Sequence, residues 1–243
     1  MEEFTEELYG LLVEKHLFVF MYELCDLAPM IIDIDITDNE TNNYIQIPVN
    51  FSGDVIIDYG DEIVKINNIE HIYKEAKTYQ IKIYGDIDAF DCNAHYENPK
   101  LRLNQRGLGY ITKILQYGES KMKKLNFYGC SNLVDIPDKL PITVTDISWL
   151  FFSCQNINKD LSKFITTQVT DMSFAFAYSS FNNSLASFDT SNVKYFDCMF
   201  LKALKFNQSL EHFSFENCYS STNFTTDAIQ LEKQNIESCN FQT

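Results

Sequence analysis

The chain has 243 residues, enough for one large or two small domains with a sizeable core. Its net charge of −15 argues against nucleic acid as a partner, because an acidic chain repels phosphate backbones. Hydrophobic content of 45% is that of a globular protein, and 20 Phe with 14 Tyr suit β-rich packing.

Residues 1–29 open with Met1-Glu2-Glu3-Phe4-Thr5-Glu6-Glu7, acidic where a secretory signal would be basic, so no signal peptide is read here. The apolar run 17–22 is too short to span a bilayer, and no membrane insertion is expected. Phe4, Leu8, Leu11, Leu12 and Lys15 recur at helical spacing with Glu on the other face, and Pro29 closes the segment. This predicts an N-terminal helix, either packed on the next domain or docking onto a partner or a second copy.

Residues 30–95 read as a β-sandwich. Met30-Ile31-Ile32-Asp33-Ile34-Asp35-Ile36 alternates at period two, turn-rich residues 38–43 come next, and further strands are predicted near 44–49, 55–59, 63–66 and 79–84. Within this stretch Val55-Ile56-Ile57-Asp58-Tyr59-Gly60-Asp61 precedes His71-Ile72-Tyr73 and then Thr78-Tyr79-Gln80-Ile81-Lys82-Ile83-Tyr84-Gly85. The pattern resembles a PKD-like (polycystic-kidney-disease-type) Ig-like domain. In that family the first strand ends in Asp-Trp-Gly-Asp-Gly, so Tyr59 stands for the Trp and Glu62 for the last Gly. Lys77 stands for the Gly before Thr78. Asp58 and Asp61 are assigned to capping the turn at Gly60 rather than to a calcium site, since no full run of oxygen ligands accompanies them. His71 and Tyr73 are expected to bury their rings while their polar tips find partners.

Residues 105–215 repeat themselves every 24 to 25 positions. Val144 leads to Phe151, Asn158, Leu161 and Phe164; Val169 to Phe176, Asn182, Leu185 and Phe188; Val193 to Phe200, Asn207, Leu210 and Phe213. Such a period predicts a solenoid in which each unit covers the apolar face of its neighbour. The run from Leu108 through Asn132-Leu133 and Pro141 to Phe213 resembles BspA-type leucine-rich-repeat surface proteins with the mycoplasma-type repeat, and Phe181-Asn182 to Asn192-Val193 follows that pattern almost throughout. Phe164 and Phe188 stand where that family often has Trp. The recurring Asn residues are expected to point inward and bond adjacent coils. Asn182-Asn183-Ser184 and Asn207-Gln208-Ser209 are also formal glycosylation sequons, but the repeat accounts for them. Lys121, Lys123 and Lys124 read as a solvated face. After residue 215 the pattern fades, and 216–243 is expected to be a cap or tail with a helix over 226–236. The fold class is therefore mainly β: N-terminal helix, PKD-like sandwich, short leucine-rich-repeat-like solenoid and C-terminal cap.

Seven cysteines include no CxxC pair and no Cys/His cluster with zinc spacing, so no metal is expected. Cys130 and Cys154 lie one repeat apart, with Ala203 at the matching place later. They read as a column of buried free thiols, which favours a reducing compartment.

Without a phosphate loop, nucleophile elbow or metal motif, the chain reads as a non-enzyme without cofactor. The leading expectation is a binding module whose solenoid face contacts a protein or glycan, with Phe174, Tyr178 and Tyr195 as candidate anchors or as core residues. The repeat family implies adhesion and a cell-surface or extracellular location. The second expectation is a structural part of a virion or surface layer, with self-association, which the acidic start and the thiols fit better. A nucleic-acid mimic is ranked last, on the reading that acidic residues are spread along the chain.

Overall fold

In the computed structural model, which describes residues 27–36, 43–93, 107–118 and 121–231, the alternating run at the start forms β1, Met30–Asp35. Met30, Ile32 and Ile34 are buried on one face. β1 pairs antiparallel with β7, Thr78–Tyr84, which buries Tyr79, Ile81 and Ile83. β4 (Ile56–Asp58) and β5 (Val64–Ile66) extend that side of the sheet. On the other side β1 pairs antiparallel with β9, Ile111–Tyr117, giving the order β5-β4-β7-β1-β9. A second sheet runs β10-β8-β3, built from Lys124–Asn126, Ala89–Asp91 and Val49–Asn50. A third pairs β2, Tyr44–Gln46, with β6, Glu70–Ile72. The molecule is mainly β, and its helical content among the described residues is one 3-10 turn at Leu108–Tyr110.

From β10 onward the chain makes successive parallel passes. Isolated bridges join Lys124 to Asp146, Asp146 to Asp171, Asp171 to Tyr195 and Tyr195 to Ser220. Because β10 also lies parallel to β8, this ladder starts inside the N-terminal sheets. β9 is likewise bridged in parallel to Asp135. The run at 108–118, expected to begin the repeat, therefore serves as an edge strand of the first sheet.

Residues 147–153, 172–178, 196–202 and 221–227 come after each bridge in the same geometry, as shown by their backbone angles and hydrogen bonds. The third and seventh residue of each pass are left-handed: Trp149 and Ser153, Phe174 and Tyr178, Cys198 and Lys202, Asn223 and Asp227. Alternate amides reach the next pass. Ile147 N donates to Asp171 O at 3.0 Å, Trp149 N to Ser173 O at 2.8 Å, Phe151 N to Ala175 O at 2.7 Å and Ser153 N to Ala177 O at 3.1 Å. The amides between them close turns within their own pass, as Leu150 N does on Ile147 O at 3.1 Å. Asp146 and Asp171 accept from the backbone N–H of Ser148 and Ser173, which explains the recurrent Asp-x-Ser.

The repeat residues Val144, Phe151, Leu161, Val169, Phe176, Leu185, Val193, Phe200 and Leu210 are all buried. Phe176 stacks on Phe200 and meets Phe151, Phe181 and Phe206 across three passes. One hydrophobic core runs without a break from Met30 to Leu231.

Three expectations give way to the observed fold. Asn158, Asn182 and Asn207 do bond between passes, with Asn182 N donating to Asn158 Oδ1 at 2.8 Å and Asn207 N to Asn182 Oδ1 at 2.9 Å. They do so at the surface, because their inward neighbours Ile157, Phe181 and Phe206 fill the core. The pattern does not fade at 215: Cys198 N, Phe200 N and Lys202 N donate to Thr222 O, Phe224 O and Thr226 O, so a further pass is made although Ser221 and Thr225 replace the apolar repeat residues. Within the helix expected over 226–236, the described residues 226–231 form turns. The helix expected over 1–29 lies outside the described residues, apart from residues 27–29.

Candidate interaction surface

An aromatic strip lies along the turn passes. Tyr128, Trp149, Phe152 and Phe174 are half-buried, and Tyr178 is 39% exposed. Trp149 stacks on Phe174 at 4.1 Å between ring centres and 9° between planes. Phe152 stacks on Tyr128 at 5.0 Å and lies 4.8 Å from Trp149 and 5.2 Å from Tyr178. Lys202 Nζ sits over the Tyr178 ring at 5.5 Å. The rings thus form one continuous row across successive passes.

Backbone strain makes this row informative. Trp149, Phe174 and Tyr178 have φ of 63°, 59° and 56°, a region where a large side chain costs about 1–2 kcal/mol relative to Gly. The last pass places Asn223 and Asp227 there, residues that tolerate it. Aromatic residues therefore occupy the first passes against the local backbone preference. The passes are also free of charge over residues 147–158 and 172–188, in a chain that is 22% charged. The acidic charge proves uneven rather than spread: residues 1–120 carry 22 acidic and 9 basic side chains, residues 121–231 carry 10 and 9.

Of the three candidate anchors, Phe174 and Tyr178 are brought together. Tyr195 lies on the bridge ladder, 40% exposed, edge-on to Tyr219 at 6.0 Å, and is not among the contacts of the strip. Sequence reading missed Tyr128, Trp149 and Phe152. The signal was present, since Trp149 and Phe174 hold equivalent places 25 residues apart within uncharged runs.

The Asp58–Tyr73 motif forms a separate cluster. Asp58 Oδ1 accepts from Gly60 N at 2.9 Å, and Gly60 has φ of 74°, where a Cβ would fall 2.5 Å from Gln80 O. Asp61 accepts from Ile63 N at 3.3 Å and faces His71 Nε2 at 2.8 Å. His71 lies flat on Tyr59 at 4.3 Å and edge-on to Tyr73, whose hydroxyl donates to Tyr59 O. Burial pulls the His71 pKa below its ordinary value, and Asp61 opposes this without reversing it. Burial likewise pushes the Tyr59 and Tyr73 hydroxyls far up, so both stay neutral donors. These hydrogen bonds hold the turn and the strands together. Glu62, at the family's Gly position, is left-handed with φ of 70°.

The lysine cluster is not a uniform solvated face. Lys121 is exposed and pairs with Asp86 at 2.9 Å, but Lys124 is nearly buried, 3.2 Å from the buried Asp91 and 4.0 Å from Asp146. Asp91 also accepts from Asn126 Nδ2 and Asn93 N. Among the described cysteines, Cys92, Cys130, Cys154 and Cys198 are buried free thiols, as expected of the Cys130–Cys154 column, whereas Cys218 is disulfide-bonded. Among the described residues no group of three or more His, Cys, Asp or Glu could hold a metal ion, and no helix is long and apolar enough to cross a membrane.

The regular hydrogen-bonded passes and their strip lie within a stretch that is similar to a family model. Residues 121–239 match the family model of a Mycoplasma protein of unknown function, DUF285. The DUF285 match begins beside β10, takes in all four turn passes and includes the whole aromatic strip. It leaves the β1–β9 sheet outside. No curated protein and no solved structure matches the chain.

Proposed function

We propose that the chain is a non-enzymatic protein-recognition module in which residues 105–215, extended by the pass to 227, form a short leucine-rich-repeat solenoid of the BspA type. Residues 30–95 act as a PKD-like sandwich that caps it, and 216–243 close its far end. The binding surface is the aromatic strip Tyr128, Trp149, Phe152, Phe174 and Tyr178. The observation that carries this reading is the strip itself: five large, partly exposed rings, of which Trp149, Phe174 and Tyr178 are held in left-handed backbone, on passes free of charge over residues 147–158 and 172–188, with Lys202 at the strip's edge. Interface cores are rich in aromatic residues and poor in charge. The strip favours a protein over a glycan, because Trp149 and Phe174, and Tyr128 and Phe152, cover each other's faces. A sugar stacks on open ring faces, and each stacked pair uses one face of both its rings. The partner is a host or assembly protein rather than nucleic acid.

The test is lysine crosslinking of the full chain in lysate of its native source, followed by mass spectrometry. Crosslinks from Lys202 and Lys205 to one foreign protein are expected, and they should vanish in a Trp149→Asn, Phe174→Asn, Tyr178→Asn variant. Asn suits the left-handed backbone, so the variant should keep its fold by circular dichroism. Crosslinks that survive in the variant would remove the strip from the proposal. Crosslinks confined to further copies of the chain or to a coat protein would make the chain an assembly component instead.

A further inference from the structure

We propose that Cys92 and Cys130 are a pair poised to form a disulfide that fastens the N-terminal sheets to the repeat passes. Cys92 directly follows β8, and Cys130 closes the turn after β10, the strand parallel to β8. Their Sγ atoms lie 3.7 Å apart, in direct contact, although 38 positions separate them in the chain. The two residues are 1% and 0% exposed, with Phe90 and Phe127 packed beside them. Cys154, the next thiol of the column, donates to Phe127 O at 3.1 Å instead of to either sulfur.

Cys218 supplies the second observation. It is disulfide-bonded, so this chain already pairs cysteines elsewhere in the fold. The same chemistry serves Cys92 and Cys130. A thiolate from one attacks a small disulfide such as oxidised glutathione, forming a mixed disulfide and releasing one thiol. The second thiolate attacks the mixed disulfide, forms the Cys92–Cys130 bond and releases the other thiol. Two protons and two electrons leave the pair, and one disulfide becomes two thiols. Burial pushes the Cys92 thiol well up, which makes attack slow once the core is closed. The bond therefore forms during folding. It joins β8, an N-terminal strand, to the first pass within the DUF285 match, where the bridge ladder starts.

The experiment refolds the full chain with oxidised and reduced glutathione or with reductant alone. Free thiols are then alkylated in denaturant and the digest is mapped without reduction. A linked Cys92–Cys130 peptide is expected after oxidising refolding, with both cysteines alkylated after reducing refolding. Relative to Cys130→Ser in the same oxidising buffer, Tm should rise by on the order of 10 °C. Natively folded oxidised protein with Cys92 and Cys130 both alkylated would overturn the proposal. So would either cysteine paired with any other.

Discussion

At the scale of single residues, backbone conformation and burial explain choices that composition leaves opaque. Positive φ at Trp149, Phe174 and Tyr178 is not visible in a sequence, because nothing about Trp, Phe or Tyr suggests a left-handed turn. Asn223 and Asp227 carry that suggestion but lie in the pass whose apolar pattern is weakest. The His71 environment was partly legible: ring burial and a partner were expected, and Tyr59, Tyr73 and Asp61 supply them. Its depressed pKa has a definite consequence. The unfolded chain takes up the proton near the ordinary His value of about 6.5, before the folded chain does. Stability should therefore fall as pH drops below about 6.5, until the folded pKa is passed. Urea midpoints measured from pH 7.5 to 5 should show this slope, and it should shrink in His71→Gln. An unchanged slope in that variant would assign it to other groups.

At the scale of elements, the strands over residues 30–36, 55–59, 63–66 and 79–84 were legible because alternation and turn residues frame them. β6, β8 and β10, three residues each like β4 and β5, were not read as strands because no apolar run extends beyond them to mark them. β9 was seen as an apolar run beginning the repeat, which its parallel bridge to Asp135 fits, but its antiparallel pairing with β1 was not foreseen, since pairing partners are set by long-range contacts. The 24-to-25-residue spacing survives as the bridge series, whereas the surface position of the Asn residues required knowing which neighbour the core takes. The Lys124–Asp91 pair shows the same limit, as a buried ion pair and an exposed one look alike in sequence. Removing one partner of a buried pair strands the other and costs about 3–5 kcal/mol. Asp91→Ala should lose stability in that range by urea denaturation, while Asp86→Ala, at the exposed Lys121 pair, should lose less than about 1 kcal/mol. Equal losses would show that the buried site is not special.

At the scale of the whole molecule, the sheets and the passes share hydrogen bonds and a core, so one unfolding transition is expected across the predicted boundary between sandwich and solenoid. Far- and near-ultraviolet circular dichroism should lose signal together on heating, in one transition. A melt in which near-ultraviolet signal disappears first would show that the passes open alone. The stacking of Trp149 on Phe174 also governs how the protein emits light. The chain contains a single tryptophan, so all indole emission comes from the middle of the strip. Its wavelength reports the polarity around that one ring without any label. A bound protein would shift it to the blue by excluding water, and local opening of the passes at 147–153 and 172–178 would shift it to the red before the rest of the molecule unfolds. Occupancy of the strip and the integrity of the repeat can thus be read in the same cuvette, by colours moving in opposite directions.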